Sequence, residues 1–242
     1  HWRSLIFRRE FPRLGGLIDR SREIFNAAGR PSGADSYNEA LHRWKLYDGR
    51  HIQFAAIQHE DGKFNYQGRP HDLYVFDEAT EFSETQVRFV IGWNRSTHID
   101  TATGAPQRCR VVLTFNPPMN VAGEWVVRFF LPWLAWLHPA SYQHPNPATP
   151  GDLRWYATID GVDTAVDESR LSWYAQRDGN HWQVETGAAF LHDGNWIVPV
   201  RGYEDAASTL VMAKSRTFIP ASLKDNPILE ATGYASTVDA MP

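Results

Sequence analysis

Cysteine is nearly absent from this chain of 242 residues, which contains Cys109 alone. A single cysteine excludes an internal disulfide and every zinc site built from several thiolates. Long apolar runs are also missing. The longest, residues 129–137, spans nine residues and includes Pro132, whereas a membrane-spanning helix needs roughly 18 to 20. We therefore expect no membrane partner.

The chain also has no excess of basic residues. Lys and Arg total 24 and Asp and Glu total 28, which gives a formal net charge of −4. This balance excludes the strongly basic composition of a dedicated DNA-binding domain, so any contact with nucleic acid has to be a local patch. The chain begins at His1, directly before an apolar segment typical of a buried strand, and we interpret it as a piece of a longer protein.

What is present is an alternation of strands and helices up to about residue 138. The pattern of apolar residues predicts strands at 4–7, 72–76 and 111–114 and helices at 11–28 and 83–91. Asp48-Gly49 lies between two apolar segments and predicts a tight hairpin. Such an alternation favours a parallel sheet whose ligands bind at the carboxyl ends of the strands.

The composition changes after residue 138. Four prolines between His138 and Gly151 interrupt every regular element, and short aromatic-rich segments separated by Asp-Gly turns follow. The fold class predicted is therefore an α/β core over residues 1–138 and a smaller subdomain of antiparallel strands over residues 139–242. The strand-like spacing of the tryptophans favours packing within this subdomain over stacking on bases.

Asp77 and Glu78 are the strongest candidates for chemistry because they directly follow a predicted buried strand. A carboxylate in that place can hold a hydrated Mg²⁺, while its neighbour orients and deprotonates a water molecule. The next predicted strand ends with Thr114 and Asn116, where polar groups can sense a phosphate. The alternative is that the two acids are solvated and that Asn116 is a turn residue before Pro117.

These segments together resemble the large subunit of the terminase of tailed bacteriophages, an ATP-driven motor that packages DNA. Their order and spacing extend over nearly the whole chain. The segments are FRREFPRL (7–14), GRHIQF (49–54), YQG (66–68), FDEATEF (76–82), WNRS (93–96), LTFNPP (113–118), TFIPA (217–221) and DNP (225–227), followed by Tyr234.

The resemblance implies a P-loop ATPase core of the additional-strand type, incomplete at its amino terminus, with ATP and Mg²⁺ as cofactors. It implies that Asp77 holds Mg²⁺ through water and that Glu78 is the catalytic base. It also implies that Thr114 and Asn116 couple hydrolysis to DNA movement. Arg95, predicted on a helix after the acidic pair, would face phosphate or a neighbouring subunit.

The resemblance further implies that the partners are double-stranded DNA, the portal protein, the small terminase subunit and further copies of the chain in a ring. The implied location is the host cytoplasm, with transient docking on the viral procapsid.

The sequence departs from the family by lacking a Gly-x-x-x-x-Gly-Lys-Ser/Thr phosphate loop. In such terminases this loop precedes the strand that begins here, and a nuclease domain of RNase H-like fold follows. We therefore expect a fragment that neither hydrolyses ATP at a meaningful rate nor cuts DNA.

Two other interpretations remain open from the sequence. The first is a non-enzymatic module whose Trp-rich strands bind carbohydrate or nucleic acid. The second is a nuclease that uses paired acids for two metals, although no second acidic cluster stands out. The motor interpretation requires the strands of Asp77 and Thr114 to be adjacent and parallel.

Overall fold

The computed structural model describes residues 2–27, 36–96, 98–99, 104, 107–159, 162–166, 173–177, 180–184, 190–192, 195–197, 208–212, 214–222 and 225. The chain divides into two compact units, His1–Phe129 and Phe130–Pro242. The first unit thus ends before the boundary near residue 138 that the sequence predicts. Among the described residues, no helix has the length and apolar character needed to span a membrane.

The first unit is built around a six-stranded sheet. Its strands are β1 (Arg3–Arg8), β2 (Ser36–Asn38), β3 (Arg43–Lys45), β4 (His51–Ala56), β5 (Leu73–Asp77) and β6 (Arg110–Thr114). They lie in the order β2-β3-β4-β1-β5-β6. The four strands β4, β1, β5 and β6 pair in parallel, while the β2–β3 and β3–β4 pairs are antiparallel. The predicted mostly parallel α/β core is confirmed.

The predicted hairpin joins β3 to β4. The Leu46 amide donates to the Arg50 carbonyl at 2.8 Å, and the Gly49 amide donates to the Leu46 carbonyl at 2.9 Å. Gly49 has a φ of 82°, in the left-handed region where a residue without Cβ has no steric penalty. The Asp-Gly dipeptide therefore forms the turn for the reason that the sequence suggested.

The described part of the first unit also contains three α-helices. They are α1 (Gly15–Ala27), which follows a 3-10 turn at Phe11–Leu14, α2 (Glu84–Ile91) and α3 (Trp125–Phe129). Leu14 of the 3-10 turn and Ile18 of α1 are buried against Trp44 and Phe54 of the sheet. Helix α2 begins with a capping box, in which Ser83 and Gln86 each accept a hydrogen bond from the backbone amide of the other.

The core of the first unit lies around β1 and β5. The rings of Phe7 and Phe76 stack with centroids 4.8 Å apart, and both side chains are fully buried. Strand β6 differs from the expectation of a buried strand, since Val111 is 37% exposed and Val112 is 42% exposed. The reason is its position: β6 is the last strand of the sheet and pairs on one side only within the described residues.

The second unit contains a short helix and antiparallel strands. These are α4 (Leu131–Leu137), β7 (Arg154–Ile159), β8 (Val162–Val166), β9 (Trp173–Arg177), β10 (Asn180–Val184), β11 (Phe190–His192), β12 (Asn195–Ile197), β13 (Ser208–Met212) and β14 (Lys214–Arg216). Every strand pair is antiparallel among the described residues of this unit. Trp133 is fully buried, in agreement with a packing role. The sequence Asn226-Pro227 also predicts the start of a helix, and both residues lie outside the described part of the chain.

Candidate active site

Asp77 and Thr114 meet at the carboxyl edge of the parallel sheet. Strands β5 and β6 are adjacent and parallel, as the motor interpretation requires, and their register places Asp77 directly opposite Thr114. The Thr114 hydroxyl donates to Asp77 Oδ1 at 2.5 Å. The two residues come together because each is the last residue of its strand and parallel strands end at the same edge.

Arg8 occupies the other oxygen of the Asp77 carboxylate. Its Nε and one terminal guanidinium nitrogen both lie 2.7 Å from Asp77 Oδ2. The side chains are 23% and 20% exposed, so this ion pair is screened less by water than one on the open surface. Arg8 is the last residue of β1, which pairs with β5 on the side opposite β6. Three neighbouring strands thus end in three side chains, of which Arg8 and Thr114 both bind Asp77.

Glu78 follows β5 in an unusual backbone conformation. Its φ of 56° and ψ of 57° lie in the left-handed region, which costs a residue with a Cβ about 1 kcal/mol. The Glu78 carbonyl accepts a hydrogen bond from the Glu81 amide at 2.9 Å and so begins a 3-10 turn at Ala79–Glu81. Its carboxylate has no hydrogen-bond or ion-pair partner among the residues that the structure describes. This side chain is therefore available to a ligand or a water molecule.

The turn after Glu78 packs against a second 3-10 turn, Val121–Gly123, which follows the end of β6. Gly123 makes this possible because a Cβ at its position would lie 2.5 Å from the Thr80 carbonyl oxygen. The side chain of Asn120 accepts a hydrogen bond from the Gly123 amide at 3.2 Å and so caps the second turn. The segments after β5 and β6 therefore pack against each other, just beyond the strand ends that the Thr114–Asp77 hydrogen bond joins.

Asn116 lies two residues beyond Thr114 and is exposed. Within the described residues its side chain has no hydrogen bond to Asp77 or Glu78, so the structure does not bring it into the group at the strand ends. The interpretation of Asn116 as a turn residue before Pro117 agrees with this placement, and its role in coupling stays a prediction.

Arg95 lies away from these residues, and its predicted location on a helix is wrong because α2 ends at Ile91. Its guanidinium lies 4.9 Å from the centroid of the Trp93 ring. The adjacent Asn94 donates to the carbonyls of His71 and Arg110, at 3.1 and 3.2 Å, where β5 and β6 begin. Asp77 is at the opposite end of these strands, roughly 15 Å away at 3.3 Å per residue. A contact between Arg95 and a neighbouring copy stays a prediction.

Arg8 and Arg9 are not among the site residues predicted from the sequence. The available signal was the position of Arg8 at the end of β1, since any strand that pairs in parallel with β5 brings its last residue beside Asp77. Arg9 has a structural role, because it donates to the carbonyl of Ile57 at 3.1 Å and to Gln86 Oε1 at 2.7 Å. Gln86 is fully buried, so Arg9 links the end of β1 to the start of α2.

The region around Gln86 fixes α2 beside the site. Glu60 accepts hydrogen bonds from Ser83 and Thr85, both at 2.6 Å, and pairs with Lys63. These donors lower the pKa of Glu60 to about 2, with the Lys63 ammonium as the largest cause. Gln86 in turn donates to the His59 carbonyl at 2.9 Å. The start of α2 is therefore held by a network of charged and buried hydrogen bonds.

The donor set around Asp77 is compatible with a metal ion that brings most of its own ligands. Among the described residues, no group of three His, Cys, Asp or Glu side chains could hold a metal by protein ligands alone. Mg²⁺ bound to a nucleotide needs only one or two carboxylates, because phosphate oxygens and water complete its shell. A single Asp beside a Thr hydroxyl matches that requirement, provided that Mg²⁺ arrives with phosphate to offset the charge of Arg8.

No family model and no curated protein matches the sequence. A search of solved structures finds similarity to the large terminase from a thermophilic bacteriophage, with a TM-score of 0.39 and 10% sequence identity. The match covers 99% of this chain and 61% of that terminase, so the chain spans less than two thirds of its length. A similarity at this level leaves the function to be argued from the site itself.

Proposed function

We propose that this chain is part of a terminase large subunit, in which ATP hydrolysis is coupled to the movement of double-stranded DNA into a procapsid. The observation that carries the proposal is the hydrogen bond from Thr114 to Asp77 across adjacent parallel strands, at the edge where such sheets bind ligands. The terminase-like segments of the sequence are the reason for proposing this particular motor. The residues at the strand ends are the reason for proposing ATP hydrolysis.

In this proposal Asp77 is the residue that faces the metal side of a nucleotide. Arg8 and Thr114 each hold one of its carboxylate oxygens, so the carboxylate is oriented before any ligand binds. A preoriented group loses little conformational entropy when it binds, which is an advantage for a site that acts by positioning. Mg²⁺, when bound with the nucleotide, would neutralise the negative charge of the phosphates.

Glu78 is the proposed general base. It is the only carboxylate directly adjacent to Asp77 in the sequence, and its side chain has no partner in the described part of the chain. A carboxylate without competing hydrogen bonds can accept the proton of a water that attacks the terminal phosphate. The left-handed backbone at Glu78 agrees with a functional role, since conformations of this cost concentrate at active sites.

Thr114 is the proposed link between the nucleotide and the rest of the motor. Its hydroxyl binds Asp77 at one end of β6, and the segment after β6 packs against the turn after Glu78 through Gly123. A change of the hydrogen bonds of Asp77 would therefore act on both segments at once. Asn116, in the segment between them, is the proposed second coupling residue.

The experiment is a titration of the chain with ATP and Mg²⁺, followed by backbone NMR. We expect weak binding, because the 242 residues lack a phosphate loop, and signal changes limited to the ends of β1, β5 and β6. Asp77→Asn should abolish these changes. The matched control is Asp19→Asn, which removes a 69% exposed carboxylate on α1 and should leave them intact.

Two results would overturn the proposal. The first is a set of signal changes that maps elsewhere in the chain. The second is binding that survives Asp77→Asn. Hydrolysis by the chain alone, abolished by Glu78→Gln, would instead contradict the expectation of an inactive fragment while supporting the assigned base.

A further inference from the structure

A second polar region lies at the opposite edge of the same sheet, where β1 and β4 begin. It is a cavity of about 400 Å³ lined by Arg3, Ser4, Arg43, Gly49, His51, Gln53 and His71. Strand β1 reaches both edges, with Arg3 as its first residue and Arg8 as its last. Five residues at 3.3 Å per residue separate them by roughly 16 Å, so this cavity is distinct from the site at Asp77.

The register of the strands places basic side chains on one face of the sheet. Arg3 is opposite His51 on β4, and His51 is opposite Lys45 on β3. Arg43 is two residues from Lys45, and it therefore projects from the same face. Because residues opposite one another on neighbouring strands are close, these cations form a patch although they are far apart in sequence.

The two arginines of this cavity differ from Arg8 in having no counterion. Neither the Arg3 nor the Arg43 guanidinium has a hydrogen-bond or ion-pair partner within the part of the chain that the structure describes. The lining also offers the Gln53 amide, which lies two residues from His51 on the same face of β4, as a hydrogen-bond donor. Unpaired guanidinium groups that converge with neutral donors provide the chemistry that binds phosphate oxygens.

Two acidic residues lie near the cavity within the described part of the chain. Asp72 is 1% exposed: its Oδ2 accepts the Arg3 backbone amide at 2.7 Å, and its Oδ1 is buried without a hydrogen-bond partner among the described residues. Asp48, next to Gly49, is paired with Arg50. The pKa of His51 is lowered, first by burial and then by the positive charges of Arg43, Lys45 and Arg3. These three charges show that positive charge dominates the surroundings of His51. Burial is also the largest cause of the lowered pKa of His71, with Arg3 and Arg69 adding to it and Asp72 opposing it.

We propose that this cavity binds a phosphate group, held by the guanidinium groups of Arg3 and Arg43 with Gln53 and His51 as further donors. The phosphate belongs either to a nucleic-acid backbone or to a free phosphate or small phosphate ester, since both present the same oxygens. This inference does not rest on the proposed ATPase function. It concerns different residues at the other edge of the sheet.

The test is a titration of the 242-residue chain with inorganic phosphate, observed through the imidazole NMR signals of His51 and His71. We expect saturable shifts at about millimolar phosphate and a rise of the pKa of His51, since a bound anion stabilises the imidazolium. Arg3→Gln and Arg43→Gln should each weaken binding about tenfold, the effect of losing a charge-assisted hydrogen bond. Neither change removes a described contact that the fold uses, and circular dichroism checks that both variants fold.

The matched control is Arg20→Gln, which removes an arginine that is 70% exposed on α1, paired with Glu23 and outside the cavity lining. Its phosphate affinity should equal that of the unaltered chain. An absence of shifts at His51, or an equal loss of affinity in Arg20→Gln, would overturn the proposal.

A second titration with a short DNA duplex identifies the source of the phosphate. If the duplex shifts the same His51 signals and displaces inorganic phosphate, the site binds the nucleic-acid backbone, and its affinity should fall steeply with salt. If inorganic phosphate binds and the duplex does not displace it, the ligand is a free phosphate or a small ester. Both results support a phosphate site. Signals from the Asp77 edge report separately on the ATPase proposal.

Discussion

The two edges of the central sheet carry arginines in opposite situations. At the carboxyl edge, Arg8 is bound to Asp77, which also accepts the Thr114 hydroxyl. At the amino edge, Arg3 and Arg43 line a cavity without a carboxylate partner among the described residues. A paired arginine fixes the geometry of a carboxylate, whereas an unpaired one remains free for an anion. The same residue type on the same strand is thus paired with a carboxylate at one edge and, among the described residues, unpaired at the other.

This contrast predicts that substitutions of the paired residues at the carboxyl edge affect stability as well as ligand binding, whereas those of the unpaired arginines at the amino edge affect binding alone. The largest effect is expected for Asp77→Ala, which leaves the partly buried Arg8 without its counterion and should lower the free energy of unfolding by about 2 kcal/mol. Urea unfolding measures the change. Asp19→Ala, at an exposed carboxylate, should cost much less.

A double-mutant cycle sharpens this first prediction. If the ion pair is the cause, Arg8→Gln combined with Asp77→Ala should cost less than the sum of the two single changes. Additive costs would show that Arg8 and Asp77 contribute independently, and the comparison between the two edges would then fail.

The second largest effect is expected for Gly123→Ala. The new Cβ would lie 2.5 Å from the Thr80 carbonyl oxygen, so the two turns after β5 and β6 must separate, at a cost of about 1 to 2 kcal/mol. Thermal unfolding measures the cost. Gly16→Ala is the matched control because no atom lies within 4 Å of a Cβ at that position, and it should not destabilise the chain.

A smaller effect is expected at Glu78. Because its backbone is left-handed, Glu78→Gly should be more stable than Glu78→Ala by about 1 kcal/mol. Both variants lose the proposed base, so any difference between them reports the backbone alone. Equal unfolding midpoints in urea would show that the conformation carries no strain.

The smallest effect concerns pH and the amino edge. The pKa values of His51 and His71 are lowered in the folded chain, so the unfolded chain binds more protons below about pH 6.5. Stability should therefore fall as the pH drops from about 6.5 through the lowered pKa values. His71→Gln should reduce this acid sensitivity by about 2 °C in Tm at most. An unchanged pH profile in His71→Gln would contradict the assignment.

Several local features could be predicted from the sequence because their causes are local. The Asp48-Gly49 hairpin depends on the backbone freedom of one glycine, and the start of α2 depends on the capping pair Ser83 and Gln86. The acidic pair at the end of β5 follows from a short apolar run that stops at Asp77. Each of these depends on residues within a few positions of one another.

Other features could not be predicted because they depend on which strands are neighbours. The exposure of β6 follows from its place at the edge of the sheet and not from its apolar residues, which are typical of a buried strand. Arg95 is only a few residues from α2, yet Asn94 holds this segment at the start of β5 and β6. The apolar pattern of α2 does not predict that the segment after Ile91 turns toward the start of β5 and β6.

The sequence by itself determined that strands alternate with helices, that two carboxylates follow one strand and that a threonine ends the next. Only the tertiary structure decided that Arg8 binds Asp77 and that Arg3, Arg43 and His51 share a cavity. The physical reason is that side chains at strand ends meet through the register of strands far apart in the chain, as in Arg3 opposite His51. Local propensities set where a strand begins and ends, and the packing of the whole sheet sets which ends come together.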